Sequence, residues 1–220
     1  MTKFIGIYIE ALILYIVLFF AGSIGVMISM PAEAAEYSNK AELIRIFLYN
    51  IPSIALIWYL ILRRKQQESR NIIPGKNDLT SFFTTLPCLI ITGITISLIS
   101  SMAGTHEQFM FGTPSTAGGW VILCFSCISA AYLEESFFRF YLLSKKDEFN
   151  LSTVQIIAVS TALFSVCHLY SGFWGFLNAA VSGTFLCIIF LRYKSIHGIA
   201  IAHALYNIMA FAINSMNMQN

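Results

Sequence analysis

AYLEESFFRFYLL, residues 131–143, places two acids, Glu134 and Glu135, and a base, Arg139, inside a run that is otherwise apolar. The flanking stretches are oily enough to lie in a bilayer. An ionisable side chain at membrane depth is costly and is retained for function or for pairing. How these three groups are accommodated decides how the surrounding chain is read.

The composition sets the solvent. Of 220 residues, 57% are hydrophobic and only 11% are charged, and the mean hydropathy is +0.73. An ordinary soluble domain carries about 25% charged residues. So apolar a chain has no soluble exterior to build, and the class is an all-α integral membrane protein, a polytopic helix bundle of one domain. A net charge of +2 gives no ground for nucleic-acid binding. Membrane lipids and a membrane-associated peptide or protein are the expected partners.

A bilayer core needs about 20 apolar residues per helix. The pattern predicts seven spans, near 4–29, 43–62, 79–101, 119–143, 152–171, 173–192 and 196–215. The first is read as a retained helix rather than a signal peptide, because its apolar run exceeds a signal core, although AEA at 32–34 resembles a cleavage site. Basic residues gather in alternate loops: RRKQQESR at 63–70 with Lys76, then Lys145 and Lys146, then Arg192 and Lys194. The positive-inside rule then puts the N-terminus in the cytoplasm. Pro52 and Pro87 are expected to kink the second and third spans. SGFWGF at 171–176 demands a tight turn, for which Gly172 or Gly175 is suited. All five cysteines, Cys88, Cys124, Cys127, Cys167 and Cys187, fall in apolar segments and read as small hydrophobes. The C-x-x-C pair sits mid-segment, away from the exposed helix start that redox chemistry favours.

Helical spacing organises the ionisable residues. Glu135 and Arg139 are four apart and can pair on one helix face. Glu134 is turned about 100° from Glu135 and stays free of that contact. Phe164 and His168 share a face of the fifth span, and His203 and Asn207 share a face of the seventh. Each has a plain alternative: an ion-paired lock between helices, a packed histidine, an interhelical hydrogen bond. Together they offer a carboxylate, two imidazoles and an amide, a set competent for hydrolysis by water. A desolvated carboxylate is a stronger base than a solvated one, and an amide and an imidazole donate to a developing oxyanion. His197, near a basic loop, and His106, in a loop on the other side, are assigned no chemistry.

EESFFR at 134–139, FSVCH at 164–168 and HALYN at 203–207 resemble, in order, the three motifs E-E-x-x-F-R, F-x-x-x-H and H-x-x-x-N of the CPBP intramembrane proteases. This is the CAAX protease and bacteriocin-processing, or Abi, family, to which the Rce1-like enzymes belong. The resemblance spans residues 118–212, the expected catalytic core. It implies that Glu134 activates water with help from His168. It implies that His203 and Asn207 stabilise the oxyanion, while Glu135, Arg139 and Phe164 support the geometry. It implies an intramembrane endopeptidase acting on a prenylated protein or a peptide precursor. A short, loop-poor chain suggests a prokaryotic inner-membrane member. No cofactor is expected. Zinc on Glu134, His168 and His203 is the alternative, weakened by the lack of an H-E-x-x-H motif. A noncatalytic immunity or scaffold protein is the main rival. A proton-coupled transporter is the weaker one, since related halves are not evident.

One conflict is visible in advance. Counted along its span, His168 falls on the order of 10 Å from the depth of Glu134 and His203. Either a strongly tilted fifth helix or a protein-covered turn after it must remove that gap.

Overall fold

The computed structural model describes residues 2–21, 23, 37–64, 73–105 and 112–217. The possible cleavage site at 32–34, most of the 63–70 basic cluster and His106 lie outside the described residues. Within them the chain is helical throughout, in seven segments numbered here in chain order. Helix α1 is Thr2–Tyr15 continued by a π-helical turn, Ile16–Phe20. Helix α2 is Asn39–Ile44, a π turn Arg45–Asn50, and Ile51–Arg64. Helix α3 is Lys76–Met102. Helix α4 is Ala117–Glu135, a π turn Ser136–Tyr141, and Leu142–Ser144. Helices α5, α6 and α7 are Thr153–Val166, Gly172–Tyr193 and Ile196–Asn217.

Local chemistry sets the boundaries. Ser38 and Thr116 accept the N–H groups of Ala41 and Gly119 at the starts of α2 and α4. Ser152 and Gln155 form a capping box at the start of α5. At Pro52 the helix continues to Arg64, with a π turn that ends two residues before the proline, at Asn50. Proline lacks an N–H for the helical ladder, and the wider turn absorbs the broken register. Pro87 lies within a helix that runs on uninterrupted. Gly172 supplies the turn into α6 at φ 74°, a conformation that costs glycine nothing, whereas Gly175 lies inside the helix.

Five helical stretches are long and apolar enough to cross a membrane: Asn39–Arg63, Lys76–Met102, Ala117–Ser144, Leu169–Tyr193 and Ile196–Met216. Helix α1 and helix α5 are shorter. The expected span at 152–171 is corrected: α5 ends at Val166, and at 14 residues it is about 21 Å long, too short for a hydrocarbon core of about 30 Å. After it come a turn at 167–168 and a single 3-10 turn, Leu169–Ser171. The backbone so released is not left bare. Tyr15 donates to the Leu163 carbonyl at 3.1 Å, and Ser23 to the Cys167 carbonyl at 2.9 Å. The covered turn, not an unbroken span, is therefore the arrangement adopted, and α1 is what covers it.

Helix α4 is central. Its Phe137, Phe138, Arg139, Phe140 and Tyr141 are fully buried. Helix α2 is fastened to it by Asn50–Ser129 and Trp58–Ser136 hydrogen bonds, both 2.8 Å. Helix α7 packs between α3 and α4, and α6 packs on α3 and α5. Leu79, Phe83, Ile91 and Leu98 leave one side of α3 apolar and exposed, as a lipid-facing surface requires. The cysteines are all free, and Cys127, Cys167 and Cys187 are buried as small apolar side chains. His197 takes a hydrogen bond with the Tyr132 hydroxyl at 2.8 Å, a structural tie between α7 and α4.

Helices α3 and α7 touch backbone to backbone at Gly198. A Cβ there meets the Asp78 carbonyl and lies 2.7 Å from the Ser81 Cβ, and both neighbours sit in a helix that cannot yield easily. Gly198→Ala should destabilise the protein by about 1–3 kcal/mol, as overpacking does. Gly6→Ala, where nothing lies within 4 Å, should be neutral or stabilising. Unfolding of both variants in micelles checks this.

Candidate active site

The site is built where α4 enters its π turn. Glu135 is the last residue before it and Arg139 lies within it. As their spacing predicts, they pair: Arg139 Nη1 lies 3.1 Å from Glu135 Oε1, with both side chains fully buried. Arg139 is held on a second side by the face of Phe164, whose centroid is 4.2 Å from the guanidinium carbon. That contact is a desolvated cation–π interaction, the stronger kind. Gly183 on α6 makes it possible, because a Cβ there sits 3.0 Å from the Phe164 ring and 3.5 Å from Arg139 Nη2.

His203 comes in from α7. Its Nδ1 is 2.8 Å from Glu135 Oε1, and its Nε2 is 3.7 Å from Glu134 Oε2. One imidazole thus stands between the two adjacent acids. Glu135 is fully buried and ion-paired, so it accepts and His203 Nδ1–H donates. Nε2 is then the atom turned toward Glu134. The two acids are unlike. The Glu135 side chain is 0% exposed, whereas that of Glu134 is 23% exposed and touches no arginine among the described residues. The Oε2 atoms of both acids lack a hydrogen-bond partner among the described residues, so exposure and the arginine are what separate them.

His168 reaches the site from the turn after α5. Its ring packs on Phe164 at 4.5 Å between centroids, and its Nδ1 lies 2.8 Å from the Phe164 carbonyl. In the neutral ring that bond puts the proton on Nδ1 and leaves Nε2 as the acceptor. Through Phe164 the turn after α5 brings His168 to the side of the site where Arg139 and His203 lie. Phe164 touches Arg139 and His168 and stands edge-on to His203, 6.2 Å between centroids. Asn207, one turn along α7 from His203, is half-buried and makes no hydrogen bond among the described residues.

Helical periodicity gave no sign of two features. The His203–Glu135 bond joins residues 68 apart in sequence, and only the packing of α7 on α4 creates it. Tyr170 stacks on His168 at 6.0 Å between centroids and 26° between planes. It stands two residues past the histidine, beyond the end of a helix, where i, i+4 spacing says nothing.

Zinc would need three ligands converging on one point at about 2.0–2.2 Å each. Among the described residues no three His, Cys, Asp or Glu side chains are so grouped.

Residues 116–209 match the family model described as type II CAAX prenyl endopeptidase Rce1-like. That segment runs from the start of α4 into α7 and contains Glu134, Glu135, Arg139, Phe164, His168, His203 and Asn207. The segment is similar to that family over this stretch; residues 1–115 lie outside the match. No curated protein and no solved structure matches the chain.

The buried pair generates a stability prediction. Arg139→Leu leaves Glu135 buried without its cation and should cost about 3–5 kcal/mol. The double variant Arg139→Leu, Glu135→Leu should recover part of that loss. Unfolding midpoints of the two variants in lipid or detergent provide the comparison.

Proposed function

We propose that the Rce1-like domain of this integral membrane protein is an active endopeptidase that hydrolyses a peptide bond of a membrane-associated substrate with water. The observation that carries the reading is the difference between the adjacent acids. Glu135 is fully buried and bonded through one oxygen to both Arg139 and His203, while Glu134 is 23% exposed and stands 3.7 Å from His203 without an arginine partner among the described residues.

In this reading Glu134 takes a proton from water as the oxygen attacks the scissile carbonyl. The C–O bond forms and the carbonyl π pair moves onto oxygen. His203 Nε2–H and the Asn207 amide donate to that oxyanion. A proton on His203 balances the set, two carboxylates against one guanidinium and one imidazolium, which is how buried charge becomes tolerable. Glu134, now protonated, delivers its proton to the departing amine as the C–N bond breaks, and His168 Nε2 shares that proton. Glu135, Arg139 and Phe164 hold the imidazoles in place. The reaction is complete with water and side chains alone. A prenylated CAAX protein or a membrane peptide precursor is the substrate class. The basic residues in alternate loops support an N-terminus on the cytoplasmic side of the membrane.

Cleavage of a panel of membrane peptides, prenylated CAAX peptides among them, should be abolished by Glu134→Gln with folding intact. Asn207→Ala should lower kcat by about 10²–10³, the usual cost of one oxyanion donor. Activity should survive chelator treatment. Equal cleavage by wild type and Glu134→Gln would remove Glu134 as the base. No cleavage by wild type of any peptide would turn the reading to a noncatalytic scaffold.

A further inference from the structure

Away from the site, where α4 ends, α5 begins and α6 ends, the fold encloses a cavity of about 320 Å³. Its lining divides in two. Phe140, Leu143, Phe190 and Leu191 form an apolar half, and Lys146, Lys194, Ser144, Thr153 and Asp147 form a polar half. This is the end of the bundle that carries the clustered basic residues, Lys145, Lys146, Arg192 and Lys194.

The lysines are not equivalent. Lys145 is buried and committed, 3.0 Å from Glu148 and over the Tyr141 ring. Lys146 is 3.7 Å from Asp147, itself 81% exposed, which is ion-pair distance without a hydrogen bond. Lys194 caps α6 in the left-handed region, at φ 52° and ψ 36°, where glycine is the usual residue. Its ammonium lies 5.6 Å from the Phe190 ring, on the lining of the cavity. Thr153, on the lining, is the first residue of α5, a 14-residue helix whose positive end is therefore at this wall. Two cations against one exposed carboxylate, beside a helix start and over an apolar floor, suit an anion that carries an apolar tail.

We propose that this cavity binds the phosphate headgroup of an anionic membrane lipid. Lys146 and Lys194 hold the phosphate, Ser144 and Thr153 line its far side, and the glycerol and first acyl carbons lie on Leu191, the half-buried member of the apolar half. The chemistry shared with free phosphate is the anion. The apolar half is what selects a lipid, and a basic pocket between helix ends at a membrane face is the usual setting for such recognition.

The test is thermal unfolding of the full-length protein in neutral detergent. The additives are dioleoyl phosphatidylglycerol, dioleoyl phosphatidylcholine and inorganic phosphate. The variants are Lys146→Gln with Lys194→Gln together, Lys194→Gly, and the control Lys40→Gln on α2. At a hundredfold excess over Kd the anionic lipid should raise the wild-type and control Tm by about 5 °C or more, and phosphatidylcholine should not. The lysine double variant should lose most of that shift. Lys194→Gly keeps the left-handed cap without strain, so it should fold at least as well as wild type and still lose part of the shift. A full shift retained in the double variant, or an equal response to phosphatidylcholine, overturns the proposal. Inorganic phosphate matching the lipid would also overturn it, since the site would then hold a free anion.

Discussion

A guanidinium buried to 0% exposure, held by one carboxylate and one aromatic face, is the constraint around which the other parts are arranged. Arg139 has to be neutralised, and Glu135, one helical turn earlier, does so. Glu135 then has an oxygen to share, and His203 takes it. Phe164 supplies the face opposite and, being on α5, ties that helix to the pair. From Phe164 the histidine four residues on, His168, is carried into the same space. Remove the cation and the acid beside it loses its closest positive partner, and the aromatic face loses the charge it covers.

The short fifth helix follows from the same requirement. A full span would carry His168 past the level of Glu134. Ending at Val166 lets the chain fold back and present the ring to the site. Ending a helix inside an apolar bundle exposes carbonyls that lipid cannot satisfy. Tyr15 and Ser23 of the first helix meet that need, and this gives the N-terminal segment, which lies outside the Rce1-like match, a definite structural part in the site.

Much of this was legible in the sequence because a helix converts spacing into direction. Residues four apart share a face, so the Glu135–Arg139 pair and the Phe164–His168 contact were readable before any packing was known. The five long spans were readable from apolar length. Where α5 stops was not, because TALFSVCHLYSGFWGF, residues 161–176, is apolar across the break and its only strong signals are glycines that come after it. The covering carbonyl bonds from α1 span more than 140 residues and leave no local trace. Nor does the choice His203 makes between two adjacent acids: periodicity places the ring at the right turn of α7, but only the approach of α7 to α4 decides which oxygen it meets.

The Glu135–Arg139 pair also bears on how the chain enters the membrane. Arginine or aspartate at the centre of a lone inserting helix costs about 2.5–3.5 kcal/mol. Here acid and base belong to the same helix, so α4 carries its own counter-ion and needs no later segment to reduce that cost. Glu134 has no such companion in its own helix: His168 follows it by 34 residues and His203, on α7, by 69. The order of residues along the chain therefore separates two events: a helix that is self-neutralising is laid down first, and the second carboxylate of the candidate site meets its imidazoles only as later segments arrive.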